Sequence, residues 1–129
     1  MGTLQELVVL LADDEPVVRD MVNLALTRAG FTVLIAADGA EALALSRSYE
    51  GTIHLLLTDV KMPHMTGIEL AAAMVIERPG IAIMMMSGHS SGKIPVGFRT
   101  KLLRKPFLPK DLVTRIQNAL RDTLDSVGP

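Results

Sequence analysis

Five positions in this chain carry side chains suited to ionic chemistry in one shared site: Asp13, Asp14, Asp59, Ser87 and Lys105. Each ends or closely follows a short apolar run. "LVVLLA" precedes the acid pair, "IHLLLT" precedes Asp59, "IAIMMMS" ends in Ser87, and "KLLR" precedes Lys105. Three carboxylates brought together repel, and one would take up a proton unless a cation shared their space. Carboxylate oxygens, a carbonyl and water suit a hard divalent ion such as Mg2+, which keeps part of its coordination for a phosphate. A lysine ammonium and a serine hydroxyl suit the oxygens of a phosphoryl group. A carboxylate can also attack phosphorus, giving an acyl phosphate. Asp59 stands alone between the acid pair and the lysine, which makes it the candidate nucleophile.

Such a site needs elements that bring distant residues to one rim. The apolar runs at residues 7–12, 31–36, 53–58 and 81–87 are too short for helices and read as strands buried on both faces. Residues 101–104 read as a short fifth strand. Between them lie amphipathic segments. Pro16 opens a helix, with Val18, Met21, Val22, Ala25 and Ala29 at helical spacing and Gly30 as its stop. Residues 39–48 and 67–77 read as further helices, and residues 109–124 as the last, with Leu112, Ile116, Ala119, Leu120 and Leu124 on one face. This alternation predicts a single α/β domain, a doubly wound parallel five-stranded (βα)5 sheet with helices on both faces. In such sheets ligands bind beyond the carboxyl ends of the strands. That is where the acids, Ser87 and Lys105 fall.

Residues 88–100, "GHSSGKIPVGFRT", are broken by Gly92, Pro95 and Gly97. A regular fourth helix is not expected there; it should be short or irregular.

The 129 residues fit one domain. Residues 1–6 read as a leader, 7–125 as the domain and 126–129 as a tail. With 49% apolar and 21% charged residues the chain is an ordinary globular mix. No apolar stretch approaches a membrane span, and no secretory signal opens the chain, so a cytoplasmic location is expected. The absence of cysteine excludes disulfides and thiolate metal sites. Aromatics at 3% give little surface for stacking on bases, so direct nucleic-acid binding is not expected. Residues 1–92 carry 5 basic and 11 acidic side chains, a net −6, and residues 93–129 carry 8 and 3, a net +5. The division suits an acidic ion site followed by a basic docking face, although it also suits ordinary solvated helices. His54, His64 and His89 lack the spacing of zinc ligands. Met84, Met85 and Met86 read as core packing.

Taken together, "ADDE", "TDVKMPHMTGIEL", "MSG" and "RKPF" resemble the receiver domain of two-component response regulators, over residues 5–125. The resemblance implies a flavodoxin-like fold with strand order 2-1-3-4-5. It implies that Asp59 accepts phosphate from a sensor histidine kinase or a phosphotransfer protein, so that the chain is a phosphoacceptor rather than an enzyme. Asp13, Asp14, Asp59 and the backbone carbonyl of Lys61 would bind Mg2+ or Mn2+. Lys105 and Ser87 would contact the phosphoryl oxygens, His89 would tune the lifetime of the phosphate, and the Lys105-Pro106 bond would be cis. The family carries an aromatic residue or histidine three residues before the lysine, where this chain has Leu102. An aliphatic side chain cannot swing a polar tip between buried and exposed states, so switching is expected to work through ordering of residues 88–100. Dimerisation through the last helix is open to such a chain, and the downstream effector is not named by the sequence.

Other readings fit less well. A haloacid dehalogenase-type phosphatase resembles this pattern but wants a second Asp two residues after the first; here that residue is Lys61. A nucleotide-binding domain would need a Gly- or Ser/Thr-rich loop where "ADDEP" is acidic. A degenerate receiver acting only as a protein-interaction module would not need the acid pair, Asp59 and Lys105 all in place.

Overall fold

The computed structural model describes residues 6–88 and 101–127, with side chains as far as residue 122. The elements in chain order are β1 (Val8–Ala12), α1 (Pro16–Arg28), β2 (Thr32–Ala36), α2 (Gly39–Ser48), β3 (Leu55–Asp59), α3 (Gly67–Glu77), β4 (Ala82–Ser87), β5 (Leu102–Arg104) and α4 (Pro109–Val127). The irregular segment expected between β4 and β5 lies, apart from Gly88, outside the described residues.

All five strands are parallel, in the order β2-β1-β3-β4-β5. The three central strands are buried along their whole length, as their unbroken apolar character requires. Alternate residues feed two cores. Leu10, Leu56 and Met85 face α2 and α3, meeting Ala42, Leu70 and Met74. Leu11, Leu57, Met84 and Met86 face α1 and α4, meeting Val22, Leu26, Leu112 and Ile116. The methionine triplet is therefore core on both sides of β4. Each fully buried side chain of this size contributes about 1.5–3 kcal/mol.

Two element details differ from the sequence reading. The inner face of α1 ends at the fully buried Leu26, while Ala29 is exposed. β3 begins at Leu55, and just before it His54 bonds both neighbouring strands: its amide donates to Val8 O at 2.8 Å, its carbonyl accepts from the Ala82 amide at 3.1 Å, and its ring Nδ1 accepts from the Val8 amide at 3.0 Å.

One arginine ties the second layer together. Arg78, at the end of α3, donates to Ser46 Oγ and Ser46 O at 2.8 Å, to Tyr49 O at 2.8 Å and to Gly51 O at 2.9 Å. Arg78→Ala would strand the carbonyls that close α2 and the loop after it. Leaving partly buried carbonyls unpaired predicts a loss of about 2–3 kcal/mol, measurable as a lower urea midpoint with an unchanged slope.

Candidate functional site

At the carboxyl rim of the sheet, backbone hydrogen bonds carry three strands slightly past their ends and so aim their last side chains. The Asp13 amide donates to Ala36 O at 3.2 Å, extending the β1–β2 pairing. The Val60 amide donates to Met86 O at 3.0 Å, so Asp59 is locked as the last residue of β3. The Lys105 amide donates to Ser87 O at 2.8 Å, just beyond β5. The Lys105-Pro106 peptide is cis.

Asp13 is fully buried and held on several sides. Its Oδ1 accepts from the Glu15 amide at 2.9 Å, and its carbonyl accepts from Arg19 Nη1 at 2.9 Å. Asp59 is buried as well, and its carboxylate accepts from the Lys61 amide. Below it, the Gly67 amide donates to Val60 O at 2.9 Å, which starts α3 directly against the end of β3. A capping box between Thr66 and Glu69 satisfies the free amides of that helix start.

Asp13, Asp14 and Asp59 each offer a carboxylate oxygen, and these oxygens lie within 4.8 Å of one another. Lys105 Nζ reaches across to Asp13 Oδ2 and Asp59 Oδ2 at 3.1 Å and to Glu15 Oε1 at 2.9 Å. Beside them is a cleft of about 240 Å3 lined by Asp14, Glu15, Asp59, Val60, Lys61, Gly88 and Lys105.

The electrostatics follow from burial. Burial pushes the Asp13 carboxyl above its usual range, against the opposing pull of the Glu15 amide and Lys105. Burial likewise pushes Asp59 up, helped by the charge on Asp13 and opposed by Lys105. For Lys105, burial pulls the ammonium down, but the carboxylates of Glu15, Asp13 and Asp59 outweigh it and leave it raised. The arrangement is acid-rich, with one firmly charged lysine.

The structure thus brings Asp13, Asp14, Asp59 and Lys105 together, with Lys61 at the cleft's edge. Ser87 ends β4, is buried, and donates its hydroxyl to Gly88 O at 2.8 Å. Leu102 opens β5, is half-buried against the core shared with α2 and α3, and its carbonyl accepts from Arg115 Nη2 at 2.6 Å. His89 lies outside the described residues. Sequence reasoning gave no role to Glu15, Arg19 or Gly67. Glu15 was visible only as a third acid beside a pair, and Gly67 only as a glycine opening a helix.

The family description "Response regulator receiver domain" matches residues 9–117. The chain is 36% identical over 116 residues to the response regulator receiver protein CpdR of Brucella abortus, covering 87% of this chain and 95% of that protein. It is 30% identical over 123 residues to the probable transcriptional regulatory protein TcrX of Mycobacterium tuberculosis, covering 92% of this chain and 52% of that one. The chain therefore spans about half the length of TcrX. Among solved structures, a response regulator receiver domain protein of Clostridium thermocellum superposes with a TM-score of 0.80 at 26% identity, covering 90% of this chain and 95% of the other.

Proposed function

Because the chain belongs to the response regulator receiver domains of two-component signalling, we propose that Asp59 accepts a phosphoryl group from the phosphohistidine of a sensor kinase or phosphotransfer protein. The receiver unit extends over residues 7–125. Receiver domains are phosphoacceptors rather than classical enzymes. The observation that carries this reading is the convergence of the Asp13, Asp14 and Asp59 oxygens within 4.8 Å, with Lys105 bonded to two of them. Among the described residues no helix is long and apolar enough to cross a membrane.

The residues fit a hard divalent ion. The donors are carboxylate oxygens, the cleft beside them has room for water and a phosphoryl group, and Lys61 lines it. Mg2+ or Mn2+ would be held by Asp13, Asp14, Asp59 and the backbone carbonyl of Lys61. When bound, the ion would neutralise the acids and take a phosphoryl oxygen. The chain's own residues do the rest. A carboxylate oxygen of Asp59 forms the new bond to phosphorus as the phosphorus–nitrogen bond of the donor breaks, and the bonding pair returns to the imidazole. Lys105 turns from a carboxylate to a phosphoryl oxygen. Ser87 exchanges its bond to the Gly88 carbonyl for another phosphoryl oxygen.

Two charge-assisted bonds of about 1.5–3 kcal/mol each, made in exchange for the existing bonds of Lys105 and Ser87, leave a net gain below the roughly 5.5 kcal/mol needed to invert a two-state equilibrium from 1:99 to 99:1. The phosphoryl group therefore populates a switched state, and a bound effector completes the shift.

Intact mass is the direct test. With acetyl phosphate and Mg2+ the chain should gain the mass of one phosphoryl group, and chelating the Mg2+ should prevent the gain. An unchanged mass in both conditions overturns this reading.

A further inference from the structure

We propose, resting on the reading of the site just given, that Glu15 is a positioning residue that receives the Lys105 ammonium when a divalent cation takes over Asp13 and Asp59. A lysine ammonium has three N–H donors and no acceptor. Lys105 spends all of them on carboxylates: Asp13 Oδ2 and Asp59 Oδ2 at 3.1 Å, and Glu15 Oε1 at 2.9 Å. An ion that takes Oδ2 of both Asp13 and Asp59 would displace the ammonium from them.

The displaced charge needs a partner outside the ion's ligands. The Lys105 side chain is only 15% exposed, so solvent alone does not receive it. Glu15 fits the role. Its side chain is 59% exposed, it does not belong to the converging group of Asp13, Asp14 and Asp59, and it already makes the shortest of the three contacts to the lysine. Among the described residues its carboxylate has no competing task, because Glu15 caps α1 through its backbone with no side-chain cap bond. Its amide meanwhile donates to Asp13 Oδ1 at 2.9 Å and turns the other oxygen of that carboxylate toward the lysine. Without the Glu15 carboxylate, the ammonium retains, among the described residues, only the two buried acids as partners and competes with the ion for both.

The test is Mg2+ affinity, read by calorimetry on the intact chain. Glu15→Gln is expected to weaken Mg2+ binding roughly three- to fivefold, the scale of one partly exposed charge pair. The loss should be smaller in a Lys105→Met background, where there is no ammonium to relocate. Removing a bare negative charge would instead weaken binding by the same factor, or a larger one, in that background, and either result overturns the proposal. Glu15→Asp, which keeps the charge, should recover part of the affinity. A parent chain that binds no Mg2+ removes the reading of the site itself, and this proposal with it. A parent that binds Mg2+ and takes up phosphate, with equal factors in the two backgrounds, removes the role of Glu15 alone.

Discussion

Asp59→Asn takes up no phosphoryl group under conditions that load the parent, and in the absence of divalent cation it melts above the parent at neutral pH. The first result follows from chemistry. An amide oxygen is a poor nucleophile toward phosphorus and carries no charge to help hold an ion. The second follows from burial. Asp59 sits at the rim almost out of solvent, and its carboxyl is raised above the usual carboxylate range by burial and by Asp13, despite Lys105. A raised acid binds its proton more tightly in the folded state than in the unfolded one. Its ionised form therefore weakens the fold at neutral pH, and the penalty fades as pH falls through the folded value toward the ordinary 3.8. The asparagine variant has no such penalty. Its advantage, a few degrees in melting temperature, should be present at pH 7 and shrink on acidification. Adding Mg2+ should reverse the ranking, because the ion favours the parent. Calorimetric melts across pH, paired with intact mass, check both halves. Phosphate on the variant contradicts the acceptor assignment, and a variant less stable at pH 7 without metal contradicts the burial argument.

Gly67→Ala is expected to remove about 3 kcal/mol of stability, a large share of the roughly 5–15 kcal/mol of a typical domain. A Cβ built on Gly67 would lie 2.0 Å from the carbonyl oxygen of Asp59 and 3.0 Å from its carbonyl carbon. Both are backbone atoms at the end of a fully buried strand, so neither can swing aside. To make room, α3 must lift from β3, which strains the Gly67–Val60 hydrogen bond and the Thr66–Glu69 capping box. The position of Asp59 shifts with it, so phosphorylation should slow as well. Gly39→Ala is the control. Its Cβ would meet Met65 Sδ at 2.8 Å and Met65 Cβ at 2.9 Å, so Met65 must shift but no backbone atom is struck, and a smaller loss of about 1–2 kcal/mol is expected. Urea titrations of the two variants side by side decide it: equal losses would show that contact with a fixed carbonyl is not what makes Gly67 necessary.

The sheet was legible because each apolar run was too short for a helix and too unbroken to face water, which leaves little besides a parallel sheet covered on both faces. The same logic located Asp13, Asp59 and Lys105. If strands 1, 3 and 5 run in one direction, the residues that follow them must gather at one rim. What stayed hidden depended on side chains acting where backbone is expected, or on backbone meeting backbone. The His54 ring takes the Val8 amide just before β3, and the periodicity of "IHLLLT" gives no sign of it. Arg78 looks like a solvated helix end, yet its guanidinium closes a loop some thirty residues earlier in the chain. Leu26 and Ala29 both suit an amphipathic helix, and only the crossing of α1 over the sheet buries one and exposes the other. Glu15 reads as one more acid at a helix start until Lys105 is seen to arrive from the far end of the fold.

That late arrival bears on how the chain is made. Lys105 is separated from Asp13 by 92 residues. At a synthesis rate of about 5–20 residues per second, the acid is added to the chain roughly 5–18 s before its counter-charge exists. A nascent chain that ends before β5 lacks the Lys105 ammonium that pairs with Asp13 and Asp59, so early closure of the rim is electrostatically discouraged. Docking of the last strand and neutralisation of the acids become a single late event.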